Sequence, residues 1–245
     1  MTRGGRRMAK AAIDAKQAAE LAVANRILYN EGVVDGFGHV SVRDARKPDC
    51  FLLARSMAPA LVTPKDIMQF DLAGDAVDPR GRQPYLERFI HGSIYKARPD
   101  VMAVVHSHSP SIIPFGVTPQ KLRPVFHMSG FLGDDVPVWD IHDVSGDTDM
   151  LVVSVAQGDD LARALGNNLV ALMRGHGSVA VGSTLRHAVY RAVYAEINAR
   201  LQSEALKLGP VKYLTPGEAR RARDTQDKVL GRAYDLWARK AGAKR

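Results

Sequence analysis

The sequence predicts an α/β fold: one mixed sheet with helices packed against it, 245 residues in a single unit. Three observations predict this. Short β-branched and apolar runs alternate with stretches of helical periodicity along most of the chain. No Pro/Gly/Ser-rich linker, internal repeat or shift of composition marks a second domain. With 46% hydrophobic and 24% charged residues, the composition is that of a globular chain able to bury a large core.

The elements follow in chain order. "AIDAKQAAELAVANRILYNEG" (12–32) spaces Ala, Leu and Ile helically and stops at Gly32. "HVSVRD" (39–44) alternates as a strand does, and "DCFLLARS" (49–56) is a second strand. "LVTPKDIMQFDLAGDAV" (61–77) reads as a helical turn, a strand and a turn at "AGD". "PYLERFIHGSIYKARPD" (84–100) is helical, with Pro84 near its start and Pro99 past its end. "VMAVVHSHSP" (101–110) is a buried strand running into a loop. A helix over "GDDLARALG" (158–166) precedes a strand, Gly-flanked turn and strand in "LVALMRGHGSVAVG" (169–182). A long helix then opens at Ser183 or Thr184, and the last 30 or so residues are helical and charged.

Charge and cysteine content exclude several function classes. The net charge is +8, but residues 1–10 carry four Lys/Arg and no acid, and residues 207–245 carry eleven Lys/Arg against four acids. The body between them is slightly acidic. A basic excess confined to the ends, with no aromatic-interleaved stripe, fits solvated tails and predicts no nucleic-acid partner. No apolar run long enough to span a bilayer and no secretory h-region are present, so no membrane association is expected. The single Cys50 has no internal disulfide partner, and a cytoplasmic setting is expected.

The chemistry centres on "VVHSHSP". Residues i and i+2 of a strand share a face, so His106 and His108 reach one ion while Ser107 points away. A core histidine beside an exposed one explains the same pair. His176, between two glycines at the end of another apolar run, is a third imidazole; an ordinary turn explains it equally. Three imidazoles with one open position describe a catalytic site and not a structural one. Glu87 and His91 are four apart on one helix face, either beside such an ion or as an exposed pair.

The order of a "GHVSVR" strand, a glutamate before His-x-His, and His-Gly about seventy residues later resembles the class II aldolase/adducin family. "LVTPKDIMQFDLAGD", "ERFIHGSIYKARPDVMAVVHSHSP" and "GHGSVAVG" carry the resemblance, which runs over roughly residues 15–205. It implies that residues 1–245 form one such domain, with 1–10 a basic tail and 207–245 a charged helical C-terminal segment. The implied fold is a three-layer αβα arrangement around a central, mostly antiparallel sheet. It implies one divalent ion per subunit on His106, His108 and His176, zinc first, with manganese, cobalt or iron also compatible. Glu87 is implied as acid/base or displaceable ligand, in a homotetramer with active sites between subunits. Adducin-like relatives without the metal set are non-enzymatic assembly modules. This chain keeps the set, which predicts an enzyme.

Departures from the sugar-phosphate aldolases set the subclass. Where those carry Gly-Asn, Ser-Gly and Ser-Ser, this chain reads Gly38-His39, Ser56-Met57 and Pro84-Tyr85. Pro84 offers no N–H to a phosphate, while Tyr85 and Met57 suit a planar ring. His39, Ser41, Arg55, Ser56, Tyr85 and Arg174 are the expected substrate contacts, with an arginine clamping a small-molecule carboxylate. "GFGHVSVRD" and "ARSMAP" resemble the decarboxylase branch, such as the 3,4-dihydroxyphthalate and 3-hydroxy-2-methylpyridine-4,5-dicarboxylate decarboxylases. The expected activity is metal-dependent, non-oxidative decarboxylation of a hydroxylated aromatic or heteroaromatic dicarboxylate or related ring-cleavage product. The alternative is an aldolase or epimerase on a small hydroxy-carbonyl compound. His127 is a further candidate for the pocket wall, and Tyr213 is read as structural.

Overall fold

The computed structural model describes residues 13–243, so the basic stretch 1–10 lies outside the described residues. Helix α1 (Ala15–Asn30) starts where the Asp14 carboxylate accepts from the Gln17 N–H at 2.9 Å. Strands β1 (His39–Arg43), β2 (Cys50–Ala54) and β3 (Ile67–Asp71) follow, with two short helical turns, Pro59–Leu61 and Pro64–Asp66, before β3. Helix α2 (Arg88–Ala97) leads to β4 (Ala103–Ser107) and a short helix α3 (Ile113–Val117). Next come β5 (Val138–Trp139), α4 (His142–Ser145), α5 (Val155–Leu165), β6 (Val170–Met173) and β7 (Gly177–Gly182). The chain closes with α6 (Leu185–Leu208), α7 (Pro216–Val229) and α8 (Gly231–Lys240).

The strands form one seven-stranded sheet in the order β3-β2-β1-β4-β7-β6-β5. Every pair is antiparallel except β5–β6, so the sheet is the mostly antiparallel one expected. Two cores cover its faces. On one, Val40, Val42, Ala103 and Val105 meet Leu21, Ile27 and Leu28 of α1 and Val189 and Val193 of α6. On the other, Phe51, Phe70, Val104 and Val179 meet Ile90, Ile94 and Tyr95 of α2 and Leu161 and Leu165 of α5. Covering on both sides explains why β4 reads as an unbroken apolar run: all five of its residues are buried.

Three details differ from the sequence reading. Residues 84–86 are not helical; Pro84 bridges to Arg55 in extended chain, and α2 begins only at Arg88, after Glu87. Strand β5, two residues long, is too short to show a period. Helix α5 opens three residues earlier than expected, because the Ser154 hydroxyl caps it by accepting from the Gln157 N–H. Thr184 is the cap of α6, accepting from the His187 N–H. The C-terminal segment is helical as expected, and α7 starts with a reciprocal Thr215–Glu218 capping box. Among the described residues, no helix is long and apolar enough to cross a membrane.

Candidate metal centre

Three loops converge at one end of the central strands. His106 is the fourth residue of β4, and His108 lies one residue past the strand. Pairing of β4 with β1 sets His106 opposite His39, and pairing with β7 sets it opposite Val179. His176 sits at the tip of the β6–β7 turn. Gly175 takes a positive φ of 64° there. A Cβ on Gly177 would stand 2.0 Å from the Ser107 carbonyl oxygen, so only glycine lets the turn approach β4 this closely. Glu87 arrives from the residue that precedes α2.

The ring nitrogens aim at one point. His108 Nε2 lies 3.2 Å from His106 Nε2 and 3.0 Å from His176 Nε2. The Glu87 carboxylate reaches 3.4 Å from His106 Nε2 through Oε2 and 3.5 Å from His176 Nε2 through Oε1. One donor atom from each of the four residues falls within 4.8 Å of the others. Ser107 points to the opposite face, where its hydroxyl meets that of Ser109 at 3.2 Å.

This donor set fits a divalent ion. Two ligands about 2.0–2.1 Å from a tetrahedral ion are separated by about 3.3 Å, close to the spacings found. His106 Nδ1 faces the Ser178 carbonyl at 3.2 Å, so its proton sits on Nδ1 and Nε2 carries the lone pair. Such lone pairs aimed at one another without a cation repel. His176 Nδ1, by contrast, is buried with no hydrogen-bond partner. Burial, then the neighbouring His106 and His176, pushes His108 down to about 4, which keeps it neutral and able to ligate. Burial alone raises Glu87, but His106 and His176 outweigh it and hold the carboxyl far below its usual range. Its Oε1 also accepts from the Val152 N–H at 3.1 Å.

A cleft of about 360 Å³ opens onto this cluster. Phe37, Met57, Tyr85, Leu86 and Leu151 wall it, with His39, Ser56, Glu87 and His108 as its polar side chains. The Tyr85 hydroxyl donates to the Met57 carbonyl, and burial pushes its pKa up to about 12. A larger hollow, about 540 Å³, lies between α1 and α8 around Arg186 and Asp235, with no convergent donor set.

The structure therefore brings together Glu87, His106, His108, His176, His39, Ser56 and Tyr85, and it leaves out three of the expected contacts. Ser41 is fully buried beneath His39, 2.6 Å from His91 Nδ1 and 2.7 Å from the Tyr95 hydroxyl. Arg55 pairs with Asp66 at 2.8 Å and Arg174 pairs with Asp140; neither guanidinium lines the cleft. His127 lines a separate hollow with Met128 and Tyr190. Tyr213 stacks under Arg123 and accepts from Gln202.

The sequence reading passed over one group. Glu87 and His91 are not an exposed pair: they are 7% and 0% accessible. His91 Nε2 lies 2.7 Å from His39 Nδ1, linking Tyr95, Ser41, His91 and His39 into a buried file behind the donor cluster. Burial, then His91 and His106, holds His39 well below its ordinary value. The signal that finds this file is the two-residue period of β1, which sends His39 and Ser41 to the face of α2.

Comparison with known proteins agrees with this geometry. Residues 19–203 match the Class II Aldolase and Adducin N-terminal domain. Among curated proteins, the chain is 35% identical to the decarboxylase tropJ of Talaromyces stipitatus, over 87% of this chain and 89% of that one. It is 29% identical to a 3,4-dihydroxyphthalate decarboxylase of Rhodococcus jostii, over 77% of this chain and 80% of that one. Among solved structures, L-fuculose 1-phosphate aldolase of Glaciozyma antarctica superposes with a TM-score of 0.77 at 24% identity, covering 95% of this chain and 92% of that one. At that identity the superposition speaks for the fold alone. The matched span holds all seven strands and the four clustered donor residues, and on it the chain belongs to the class II aldolase and adducin family.

Proposed function

We propose that this protein is a metal-dependent, non-oxidative decarboxylase of a hydroxylated aromatic or heteroaromatic dicarboxylate or related ring-cleavage product. The observation that carries the reading is a three-imidazole, one-carboxylate cluster opening onto a cleft walled by Phe37, Met57 and Tyr85. The cleft volume falls within the range of small-molecule sites, ~300–1,000 Å³. No lining residue is arginine or lysine, which disfavours a phosphate cradle. Two curated relatives named as decarboxylases, at 35% and 29% identity, support it.

His106, His108 and His176 would hold the ion, and Glu87 stands beside it. When bound, a divalent cation supplies positive charge next to the carbon that loses CO2, lowering the cost of the electron pair left behind. Tyr85, Met57 and Phe37 hold the ring flat and exclude water. Glu87, ionised at rest, takes the proton of the ring hydroxyl on a carboxylate oxygen. As the carbon–carboxylate bond breaks, its electron pair stays on the ring carbon, and Glu87 returns the proton there. Solvent replaces the hydroxyl proton, so one proton is consumed per CO2 released. The assembly in this reading is a homotetramer, which sedimentation velocity checks.

The test is the zinc- or manganese-loaded protein assayed for CO2 release from ortho-hydroxy aromatic dicarboxylates and for aldehyde release from sugar phosphates. Metal-dependent CO2 release is the expected result. Aldehyde release without CO2 replaces this reading with the aldolase one. A protein that binds no metal and turns over neither class is an assembly module.

A further inference from the structure

Resting on that reading, we propose that His39 grips an anionic oxygen of the ligand as a neutral Nε2–H donor, and that Tyr95, Ser41 and His91 are positioning residues that fix this tautomer. The file runs Tyr95 hydroxyl to Ser41 Oγ at 2.7 Å, Ser41 Oγ to His91 Nδ1 at 2.6 Å, and His91 Nε2 to His39 Nδ1 at 2.7 Å. Each hydroxyl and each neutral imidazole brings one proton. The protons must therefore all run one way along the file, and its inner end decides which.

Tyr95 is 1% exposed. Among the described residues, its hydroxyl has one side-chain partner, Ser41. The Arg43 guanidinium, 4.8 Å over the Tyr95 ring, offers donors alone. If Ser41 donated to Tyr95, the phenol proton would be buried with no acceptor, the costly arrangement that native interiors avoid. Tyr95 therefore donates to Ser41, Ser41 to His91 Nδ1, and His91 Nε2–H to His39 Nδ1. His39 Nδ1 is left without a proton, and its single proton sits on Nε2, on a ring that lines the cleft.

The rest of the cleft wall makes that proton matter. The Tyr85 hydroxyl is engaged by Met57, and Arg55 and Arg174 face Asp66 and Asp140. The uncommitted side-chain donors on the lining are His39, the Ser56 hydroxyl and, with Nε2 turned to the ion, the Nδ1–H of His108. A bare ring nitrogen in this place would repel a carboxylate or phenolate oxygen, whereas an N–H draws it in. The file behind His39 thus selects for an anionic substituent on the ring without placing a second formal charge near the metal.

The experiment reads the tautomer directly. Long-range ¹⁵N–¹H correlation of the zinc-loaded protein, with His39 assigned by its loss in His39→Gln, is expected to show Nε2 protonated and Nδ1 bare. The opposite tautomer overturns the proposal. Tyr95→Phe removes the proton that orients the file and is expected to give a mixture of tautomers; an unchanged spectrum in a folded variant overturns the relay. Calorimetric binding of phthalate to the zinc-loaded protein is expected to weaken about 10- to 100-fold in His39→Phe, with most of the loss recovered in His39→Gln, which keeps an N–H donor. Equal losses in the two variants, or no phthalate binding by the unaltered protein, overturn the anion-gripping role. None of these readouts needs turnover, so a failed decarboxylase assay and a failed tautomer assignment are told apart.

Discussion

The two faces of the sheet are cut from the same strands and serve different ends. Toward α1 and α6, β1 and β4 present Val40, Val42, Ala103 and Val105, all within the apolar core. Toward α2 the same strands present, beside the apolar Val104, the polar and buried His39, Ser41, Arg43 and His106. A period of two lets one strand carry a stabilising face and a chemical face at once. The register that sets His39 opposite His106 aligns the chemical face across both strands. The lesson is separability: damage to one face should leave the other's property standing.

The largest break in that comparison comes from the chemical face. Replacing His108 with Ala removes the proposed ligand, whose Nε2 lies 3.0 and 3.2 Å from the other two imidazole nitrogens. Loss of the ion forfeits several kcal/mol of charge stabilisation, so turnover should fall about 10³-fold or more. Stability of the metal-free protein should change by less than about 1 kcal/mol, because His108 is only partly buried. Calorimetry of zinc binding and urea unfolding check both halves. Glu87→Gln sharpens the picture by one step. It keeps the shape and the Val152 contact but removes the proposed proton carrier, so zinc should stay bound while turnover drops by about 10²–10⁴. Full activity in that variant would leave Glu87 a bystander.

The opposite face gives the converse. Leu28 of α1 is fully buried in the aliphatic core. Leu28→Ala should lower unfolding free energy by about 2–5 kcal/mol and leave zinc affinity of the folded protein within about threefold. A large loss of zinc affinity would mean that the two faces are mechanically coupled through β1 and β4.

How far these faces were legible in the sequence differs between them. The aliphatic face follows from periodicity: the α1 stripe and the β4 run predict burial without reference to distant residues. The chemical face was legible where local geometry sufficed. His106 and His108 share a side because a strand alternates, and the glycines around His176 announce a close approach. It was not legible where the partner is far away in the chain. Arg55 and Arg174 look free in a string of letters, but Asp66 and Asp140 engage them in space. Ser41 looks like a substrate contact until His91, fifty residues on, is seen to cover it. Pro84 to Leu86 reads as the start of a helix, yet the bridge to Arg55 holds it extended beside the cleft.

The smallest effect tests the same contrast through pH. Burial, then the neighbouring His106, pushes His91 down to about 3 from its ordinary value of 6.5. The folded pKa lies below the unfolded one, so as pH falls the unfolded chain takes up the proton first. The stability that neutral His91 contributes is complete above about pH 6.5 and is lost as pH falls from there toward 3, at up to about 1.4 kcal/mol per pH unit for one such group. Urea unfolding of the metal-free protein between about pH 7 and pH 4.5 should show this decline, and His91→Gln should reduce its slope by one group's share. Leu28→Ala should instead lower the whole curve and leave its slope alone, since no proton is bound or released on the aliphatic face. An undiminished slope in His91→Gln would mean that His91 already takes up its proton in the folded protein, and the polar file would then be wetter than its stacking on Phe51 suggests.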